Sequence, residues 1–368
     1  LIWYPSQIYK GFLDMKCAVL SKNKCISVVE MPENDLLAGE CEVTIRAVGI
    51  CSSDVNRGYG GGAYFYPLVM GHELSGEITA LGKDVGDDFN VGDNVCVFPL
   101  LPCFKCASCK QKLYAQCSKY DYYGSRRHGG FAEKLNVCSW NLLKLPHGVS
   151  LADGALVEPT AVVVHAIGKA SIEPEKHSKL CILGAGFLGL IAVQVVRHLY
   201  PNCEVHLVDR NLFKLDVAEI HGASTTLVNN DKSWNNFLRK SESTFDRVIE
   251  LAGTMATYTA GIMIAKPGAR IVWGGNISED LTISSAQVSS ILRKEIEIVG
   301  TWNSIYKGTE TCDWVRALDL IAKGLRPSEL VSSKINLSEI NSTISKLYNH
   351  KVRKDKFESI KVLVEPQS

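Results

Sequence analysis

The sequence lacks an excess of charge, a long apolar run and an internal repeat. Its 368 residues contain 40 Lys and Arg against 39 Asp and Glu, a formal net charge of +1. This balance disfavours nonspecific binding to nucleic acid or to an anionic membrane surface. No run of 18 apolar residues is present, and the first residues, Leu1-Ile2-Trp3-Tyr4-Pro5, do not resemble a signal peptide. We therefore expect neither a membrane anchor nor export.

Length and composition predict a folded chain of more than one domain. At roughly 150 residues per domain, 368 residues correspond to two domains that share a cleft. Apolar residues make up 46% and charged residues 21%, which is ordinary globular usage and argues against intrinsic disorder. Met15 is a plausible native start, so residues 1–14 are interpreted as a leader or an added segment.

Thirteen cysteines are an odd number, which does not suit a framework of paired disulfides. Five of them lie at metal-ligand spacings described below, and the other eight are scattered singly. Scattered thiols that pack as small apolar groups are typical of a reducing compartment. The sequence therefore predicts a cytoplasmic protein.

The hydrophobic pattern changes near residue 179. Before it, short alternating segments such as Glu42 to Val48 and Asn94 to Val97 predict an antiparallel β half. After it, strands such as Leu180 to Leu183 alternate with helices, which predicts an α/β half with a parallel sheet. A final apolar strand, Ile360 to Val364, is expected to return to the first half.

A glycine-rich turn follows the first strand of the α/β half. Gly184-Ala185-Gly186-Phe187-Leu188-Gly189 opens a helix, and Asp209 ends the next strand 20 residues after Gly189. Gly184 permits a tight turn, Gly186 allows close approach of a pyrophosphate, and Gly189 allows close packing of helix and strand. Asp209 favours NAD by bonding the ribose 2′-hydroxyl, whereas Arg210 leaves NADP open as the alternative.

Cys103, Cys106, Cys109 and Cys117 form a C-x2-C-x2-C-x7-C cluster. Four thiolates around one cation describe a structural Zn²⁺ site with no open position. An iron–sulfur cluster uses the same ligands, and a zinc ribbon that reads nucleic acid is a further alternative that the neutral charge disfavours.

Three further strings each place a metal-capable side chain beside glycine, proline or an apolar run. They are Gly49-Ile50-Cys51-Ser52-Ser53-Asp54, Gly71-His72-Glu73 and Leu156-Val157-Glu158-Pro159. Together with Pro99 to Cys103, Gly124 to Glu133 and Ile291 to Glu295, they resemble the zinc-dependent medium-chain dehydrogenase/reductase family. Within it, the chain is most similar to polyol dehydrogenases, in particular those that act on hexitol 1-phosphates such as galactitol 1-phosphate.

The resemblance implies an α/β chain with a GroES-like β catalytic domain and a doubly wound Rossmann domain. The catalytic domain would be discontinuous, with residues 15–170 and 305–368, and the NAD-binding domain would span residues 171–304. By resemblance Cys51, His72 and Glu158 are catalytic zinc ligands, with Glu73 near the metal. Such a set leaves a fourth position open for water or alcohol, so each subunit would hold one catalytic and one structural Zn²⁺.

The expected reaction is transfer of hydride from a secondary carbinol to the nicotinamide, with Ser53 bonded to the alcohol and passing its proton outward. Ser53 is equally well explained as a turn hydroxyl bonded to backbone. Many alcohol dehydrogenases have a histidine five residues after the catalytic cysteine, where this chain has Asn56. An amide does not exchange protons near pH 7, so proton exit requires water or another group.

Basic residues around the expected cleft favour a phosphorylated polyol as substrate, held by charge-assisted bonds. An exposed basic turn without a ligand is the alternative reading of the same residues. The candidate substrate residues are Arg57, Tyr59, Tyr64, Arg126, Arg127, His128 and Trp302.

The leading function is an NAD-dependent zinc dehydrogenase of a hexitol 1-phosphate, and the runner-up substrate is unphosphorylated sorbitol or L-iditol. A zinc- and NAD-binding sensor without turnover is the alternative from another class. Family resemblance also implies a homodimer or homotetramer, joined through the edge strand Glu295 to Val299.

Overall fold

The computed structural model describes residues 14–22, 24–174, 176–277, 279–307, 312–353 and 358–368. The interpretation of residues 1–14 as a leader falls outside this part of the chain, apart from Asp14. The β-strands are β1 (Asp14–Leu20), β2 (Ile26–Pro32), β3 (Glu40–Gly49), β4 (Leu68–Val69), β5 (Glu73–Leu81), β6 (Asn94–Val97), β7 (Leu100–Leu101), β8 (Asp121–Tyr122), β9 (Lys134–Cys138), β10 (Leu142–Lys144), β11 (Lys179–Leu183), β12 (Glu204–Asp209), β13 (Ser224–Leu227), β14 (Phe245–Glu250), β15 (Ala265–Trp273), β16 (Glu297–Gly300), β17 (Val331–Ile335) and β18 (Lys361–Val364). The α-helices are α1 (Ser52–Gly60), α2 (Ala107–Lys110), α3 (Leu151–Ala155), α4 (Val157–Ala170), α5 (Phe187–Leu199), α6 (Leu212–Ile220), α7 (Asp231–Lys240), α8 (Met255–Ile264), α9 (Ser285–Lys294), α10 (Asp313–Ala322) and α11 (Ile340–Arg353).

The first half is built on antiparallel β-structure, as its alternating pattern predicts. In β3, Cys41, Val43 and Ile45 are fully buried while the residues between them are partly exposed, because successive side chains of a strand point to opposite faces. The main sheet has the order β10-β6-β5-β3-β18-β17, with β9 also on β3, and a smaller sheet has the order β2-β1-β4. Their shared core contains large buried side chains such as Leu20, Leu74 and Ile78.

The second half contains a parallel sheet of order β13-β12-β11-β14-β15-β16. The strand order reverses between β11 and β14, which is the doubly wound arrangement predicted from the alternation of strands and helices. Beside the reversal, β11 contains an apolar run, which is typical of a strand whose sheet is covered by helices on both faces. In the described part of the chain, no helix combines the length and the apolarity that crossing a bilayer requires.

The chain returns to the first sheet at its C-terminal end. β18 pairs antiparallel with β3, with Leu363 opposite Gly49 and Val364 opposite Val48, and β17 lies on its other side. The final strand therefore completes the sheet that carries the first candidate site residues, whereas the domain limits at 170, 171, 304 and 305 stay a prediction.

Aromatic side chains pack where the two halves meet. Phe98 of the first half stacks on Tyr306 with ring centroids 4.0 Å apart, and Trp140 and Trp314 pack edge-on against the same pair. Tyr306 and Trp314 are fully buried. Large aromatic contacts of this kind fix the segment after β16 against the first half.

Candidate active site

Cys51, His72 and Glu73 form a group whose ligand atoms all lie within 4.8 Å of one another. Cys51 caps the N-terminus of α1, and Glu73 begins β5 directly after His72, so a short helix and a sheet strand fix the three side chains. One thiolate, one imidazole and one carboxylate are a ligand set that suits Zn²⁺ and leaves a coordination position open.

Asp54 orients the imidazole of His72. Its Oδ1 atom lies 3.4 Å from His72 Nδ1, which leaves Nε2 as the nitrogen available to a metal. Burial opposes protonation of His72, but Asp54 and Cys51 outweigh burial and hold its pKa well above the usual value. Asp54 is itself fully buried and is held ionised by His72 and by Arg57, whose Nη1 atom lies 3.1 Å from Oδ1.

Glu158 lies beside this group but is not a member of it. It stands in the first turn of α4, and Tyr122 donates its hydroxyl to Glu158 Oε1 at 3.4 Å. Burial raises the pKa of Glu158 to about 7 and Glu73 adds to the rise, whereas His72, Lys361 and Tyr122 oppose it. The geometry thus groups Glu73, rather than Glu158, with Cys51 and His72. The sequence makes Glu158 the expected third ligand and places Glu73 near the metal, and this assignment stays a prediction.

Lys361 of β18 supplies a buried cation behind Glu73. Its side chain is 4% exposed and forms an ion pair with Glu73 Oε2. The ammonium group also donates to the carbonyl of Ile50 at 3.0 Å and lies 4.6 Å from the ring centroid of Phe187, in the glycine-rich turn. Lys361 therefore links the metal group to the dinucleotide turn.

Gly49 leaves the space that the Glu73 carboxylate fills. A Cβ at this position would overlap Glu73 Oε2 and contact the Lys361 side chain. The glycine at the end of β3 is therefore required by the ion pair rather than by a turn, since Gly49 is not among the residues with positive φ.

The four clustered cysteines meet around one point. The Sγ atoms of Cys103 and Cys109, and those of Cys106 and Cys117, are each 3.9 Å apart, and all four ligand atoms lie within 4.8 Å. A Zn²⁺ ion bonded to four sulfurs at about 2.3 Å separates them by about 3.8 Å. Backbone N–H groups of Cys109 and Ser118 lower the pKa of Cys106 to about 6. These four cysteines, the cysteine lobe, therefore fit the predicted structural zinc site.

The glycine-rich turn lies at the strand reversal. Gly184 has φ +112°, Gly186 is the N-cap of α5, and a Cβ at Gly189 would overlap the carbonyl of Gly184. Phe187 and Leu188 begin α5, whose free N–H groups suit a pyrophosphate.

Asp209 ends β12 beside this turn. Its Oδ2 accepts from the Ala185 N–H at 2.7 Å and its Oδ1 from the Asn211 N–H at 2.9 Å. Arg210 follows it and is exposed. The carboxylate is thus fixed at the carboxyl edge of the sheet, where a ribose would lie.

Several residues predicted to contact substrate are used elsewhere. Arg57 is bound to Asp54 and donates to Ser53 Oγ at 3.1 Å. Because a guanidinium does not release protons, Arg57 does not carry a proton onward from Ser53. The Tyr59 hydroxyl donates to Asn341 Oδ1 at 3.2 Å and its ring stacks on Tyr348 of α11, which gives Tyr59 a packing role.

Residues of the basic turn at 126–128 also have different partners. Arg127 forms an ion pair with Asp121 at 2.7 Å, and His128 Nδ1 accepts from the Val69 N–H at 3.2 Å, while burial lowers the pKa of His128. Of the two arginines in this described turn, Arg126 is the one without a carboxylate partner. Trp302 is 59% exposed just beyond β16.

Asp54, Tyr122 and Lys361 were missed as site residues by the sequence analysis. A lysine in the apolar strand Ile360 to Val364 was a usable signal, because an unpaired lysine is almost never buried. Asp54 lies in the string around Cys51, but its partner His72 lies 18 positions further along the sequence. Tyr122 carried no signal among its neighbouring tyrosines.

Two family comparisons match this architecture. The Alcohol dehydrogenase GroES-like domain matches residues 37–147 and the Zinc-binding dehydrogenase domain matches residues 188–323. Fold and site thus define a two-domain zinc-binding dehydrogenase. The chain is 38% identical over 288 residues to galactitol 1-phosphate 5-dehydrogenase of Escherichia coli K12, covering 77% of this chain and 82% of that protein. The chain belongs to the zinc-dependent medium-chain dehydrogenase family, in which it groups with polyol dehydrogenases.

Solved structures agree with this assignment. A crystal structure of galactitol-1-phosphate dehydrogenase from Escherichia coli has a TM-score of 0.84 at 33% identity and covers 96% of this chain and 100% of that one. Two structures at 27% identity, each covering 96% of this chain and 100% of the other, hold different cofactors. A zinc-binding dehydrogenase from Sinorhizobium meliloti is bound to NADP, with a TM-score of 0.85, and an alcohol dehydrogenase from Escherichia coli CFT073 is complexed with NADH, with a TM-score of 0.84.

The predicted enzyme class, a zinc-dependent alcohol or polyol dehydrogenase that uses a nicotinamide dinucleotide, is confirmed. So is the predicted fold, a GroES-like domain with a Rossmann domain. A small-molecule substrate follows from this membership.

Proposed function

We propose that this enzyme oxidises a secondary alcohol of a polyol phosphate, with NAD as hydride acceptor. The observation that carries the phosphate assignment is the setting of Arg126. Its guanidinium carbon lies 4.4 Å from the ring centroid of Tyr64 and 4.4 Å from that of Tyr120. Neither tyrosine neutralises the cation with a carboxylate, and the donors of a guanidinium match a phosphate.

Arg126 lies two aromatic contacts from the metal group. Tyr120 contacts Tyr122 edge-on at 6.2 Å between ring centroids, and Tyr122 contacts the ring of His72 at 5.7 Å. An extended polyol with its reacting carbon at the metal group would direct its phosphorylated end along this row of rings towards Arg126.

Cys51, His72 and Glu73 would hold the catalytic zinc, which supplies Lewis acidity to the alcohol when bound. The chain's own residues fix this set: Asp54 selects the tautomer of His72, and Lys361 neutralises one oxygen of Glu73. Glu158 and Tyr122 border the group and are proposed to contact the reacting end of the substrate.

Asp209 supports NAD rather than NADP. Its carboxylate is fixed by two backbone N–H groups and would repel a 2′-phosphate. The exposed Arg210 is the residue that would favour NADP, and the ratio of kcat/KM values for the two cofactors tests this choice.

The edge position of β16 in the parallel sheet supports the predicted homodimer or homotetramer. No disulfide joins any of the thirteen cysteines, each within the described residues, and this is consistent with the proposed cytoplasmic compartment.

Paired kinetics test the substrate assignment. A hexitol 1-phosphate and the same hexitol without phosphate are compared with the zinc-loaded enzyme and NAD. We expect Arg126→Ala to lower kcat/KM for the phosphate ester about 10- to 100-fold, because a hydrogen bond to a charged group contributes about 1.5–3 kcal/mol. The value of kcat/KM for the free hexitol should change less than about twofold.

Arg127→Ala is the matched control, since Arg127 is already paired with Asp121 in the same turn. This substitution should lower kcat/KM equally for both substrates or leave both values unchanged. Equal losses for both substrates in Arg126→Ala would instead favour an unphosphorylated polyol such as sorbitol or L-iditol.

A further inference from the structure

Glu250 is a fully buried carboxylate at the carboxyl edge of the parallel sheet. It ends β14, and its side chain is 0% exposed. Its Oε1 atom accepts three hydrogen bonds, from the N–H groups of Ala252 at 2.9 Å and Gly253 at 2.7 Å and from Thr257 Oγ1 at 2.7 Å. The side chain thus folds the loop after β14 around itself.

The same residue also holds the loop after the neighbouring strand β15. The Glu250 carbonyl accepts from the N–H groups of both Gly274 and Gly275, each at 2.9 Å. Its Oε2 atom faces Gly275, where an added Cβ would lie 2.5 Å from that oxygen and overlap the backbone of Gly253. Glu250 therefore joins loop 251–254 to loop 274–277.

These loops lie in the second half of the dinucleotide crevice. In a doubly wound sheet, the two mononucleotide halves bind on either side of the strand reversal. Asp209 and the glycine-rich turn belong to the β11–β12 side, which takes the adenosine half. The loops after β14 and β15 therefore border the nicotinamide half.

We propose that Glu250 is a positioning residue that fixes loops 251–254 and 274–277 in the arrangement that binds the nicotinamide ring. This inference rests on the proposed use of NAD, and it assigns no contact of Glu250 with the cofactor itself. A carboxylate suits this task because its Oε1 accepts three hydrogen bonds, while its Oε2, which has no hydrogen-bond partner among the described residues, lies against Gly275, where an amide would direct an N–H group.

The electrostatics agree with a carboxylate held by donors. Burial raises the pKa of Glu250, while hydrogen bonds from Thr257 and from the backbone of Gly253, Ala252 and Gly275 lower it. With Oε1 kept towards its three donors, the Nε2 group of a glutamine would meet Gly275, whose own N–H donates to the Glu250 carbonyl. The substitution keeps the volume of the side chain, and we expect it to loosen the contact between the loops.

Binding of NADH and of ADP-ribose to Glu250→Gln tests the proposal by calorimetry. ADP-ribose retains both riboses and the pyrophosphate and lacks only the nicotinamide. We expect the Kd of NADH to rise about tenfold, the effect of one buried polar group left unpaired, while the Kd of ADP-ribose stays within about twofold. Unchanged NADH affinity, or equal weakening of both ligands, would overturn the proposal.

Asp246→Asn is the matched control in the same strand. Asp246 lies at the amino edge of β14 and accepts from the Lys179 N–H at 2.8 Å and from Lys266 Nζ at 3.0 Å. The Asp246→Asn substitution should leave the affinities for NADH and for ADP-ribose unchanged. Selective loss of NADH binding in this control would also contradict the assignment to Glu250.

Thr257→Val is the milder variant if Glu250→Gln does not fold. It removes one donor to Oε1 and keeps the side-chain shape, so the Kd of NADH should rise severalfold while that of ADP-ribose does not. An unchanged ratio of the two Kd values would then decide against the proposal. Failure of the wild-type enzyme to bind NADH at all would instead refute its proposed cofactor.

Discussion

Replacement of Lys361 by methionine tests the buried ion pair that supports the metal group. Lys361 and Glu73 are 4% and 2% exposed at their side chains, so the substitution leaves a carboxylate buried without its cation. Loss of one partner of a buried pair costs about 3–5 kcal/mol. We expect Lys361→Met to lower the free energy of unfolding of the metal-stripped protein by about this amount.

Lys334→Met is the matched control for this experiment. Lys334 lies in β17, opposite Leu363 of β18, and pairs with Glu365 at 2.7 Å, but the two side chains are 56% and 35% exposed. A surface pair contributes about 0–1 kcal/mol. The two lysines thus differ mainly in the burial of their ion pairs.

Urea denaturation with a chelator and with added zinc measures both effects. In the presence of zinc, the destabilisation by Lys361→Met should shrink, because a cation coordinated by Glu73 replaces the lost charge. A loss below about 1 kcal/mol in the chelated protein, equal to that of Lys334→Met, would refute the role of Lys361. An equal loss with and without zinc would argue against Glu73 as a ligand.

Two further predictions concern the cysteine lobe and Glu158. Cys106→Ser should reduce the bound zinc from two ions per chain to one, as measured by a colorimetric zinc assay. Replacement of the exposed Cys25 by serine is the control and should retain both ions. Two ions in both variants would contradict a zinc site in the cysteine lobe. In metal-stripped protein, the pKa of Glu158 is raised to about 7, so the native state binds its proton more tightly than the unfolded state, and stability is lost as the pH rises from about 4.5 to 7. Urea denaturation of Glu158→Gln should therefore show stability relative to wild type increasing across this range, and a pH-independent difference would refute the shift.

Local pattern was sufficient for much of the fold, and it predicted the residues of two candidate sites. The alternation in β3 and the apolar run in β11 predicted an antiparallel and a parallel half, because side-chain period and burial are tied to strand type. The spacing of Cys103 to Cys117 predicted one four-sulfur centre, since ligands within 15 residues are brought together by a single loop. The glycine-rich turn was equally local, and the structure places Gly184, Gly186 and Gly189 where the pattern put them.

Tertiary structure decided which charges stand alone and which meet. Four basic residues looked equivalent in the sequence, but they have different partners in the structure. Arg57 pairs with Asp54, Arg127 pairs with Asp121, and His128 accepts from the Val69 N–H. Arg126 instead contacts the rings of Tyr64 and Tyr120 and has no carboxylate partner among the described residues. Packing also gives the two carboxylates different partners, because Lys361 pairs with Glu73 and Tyr122 donates to Glu158.

Sequence by itself determined the elements, the ligand types and the family. The folded chain determined the partners of each charge, since β18 brings Lys361 to Glu73 across 288 positions of sequence. Coulomb interactions and desolvation act through space and depend on burial. They are set only when distant strands have paired.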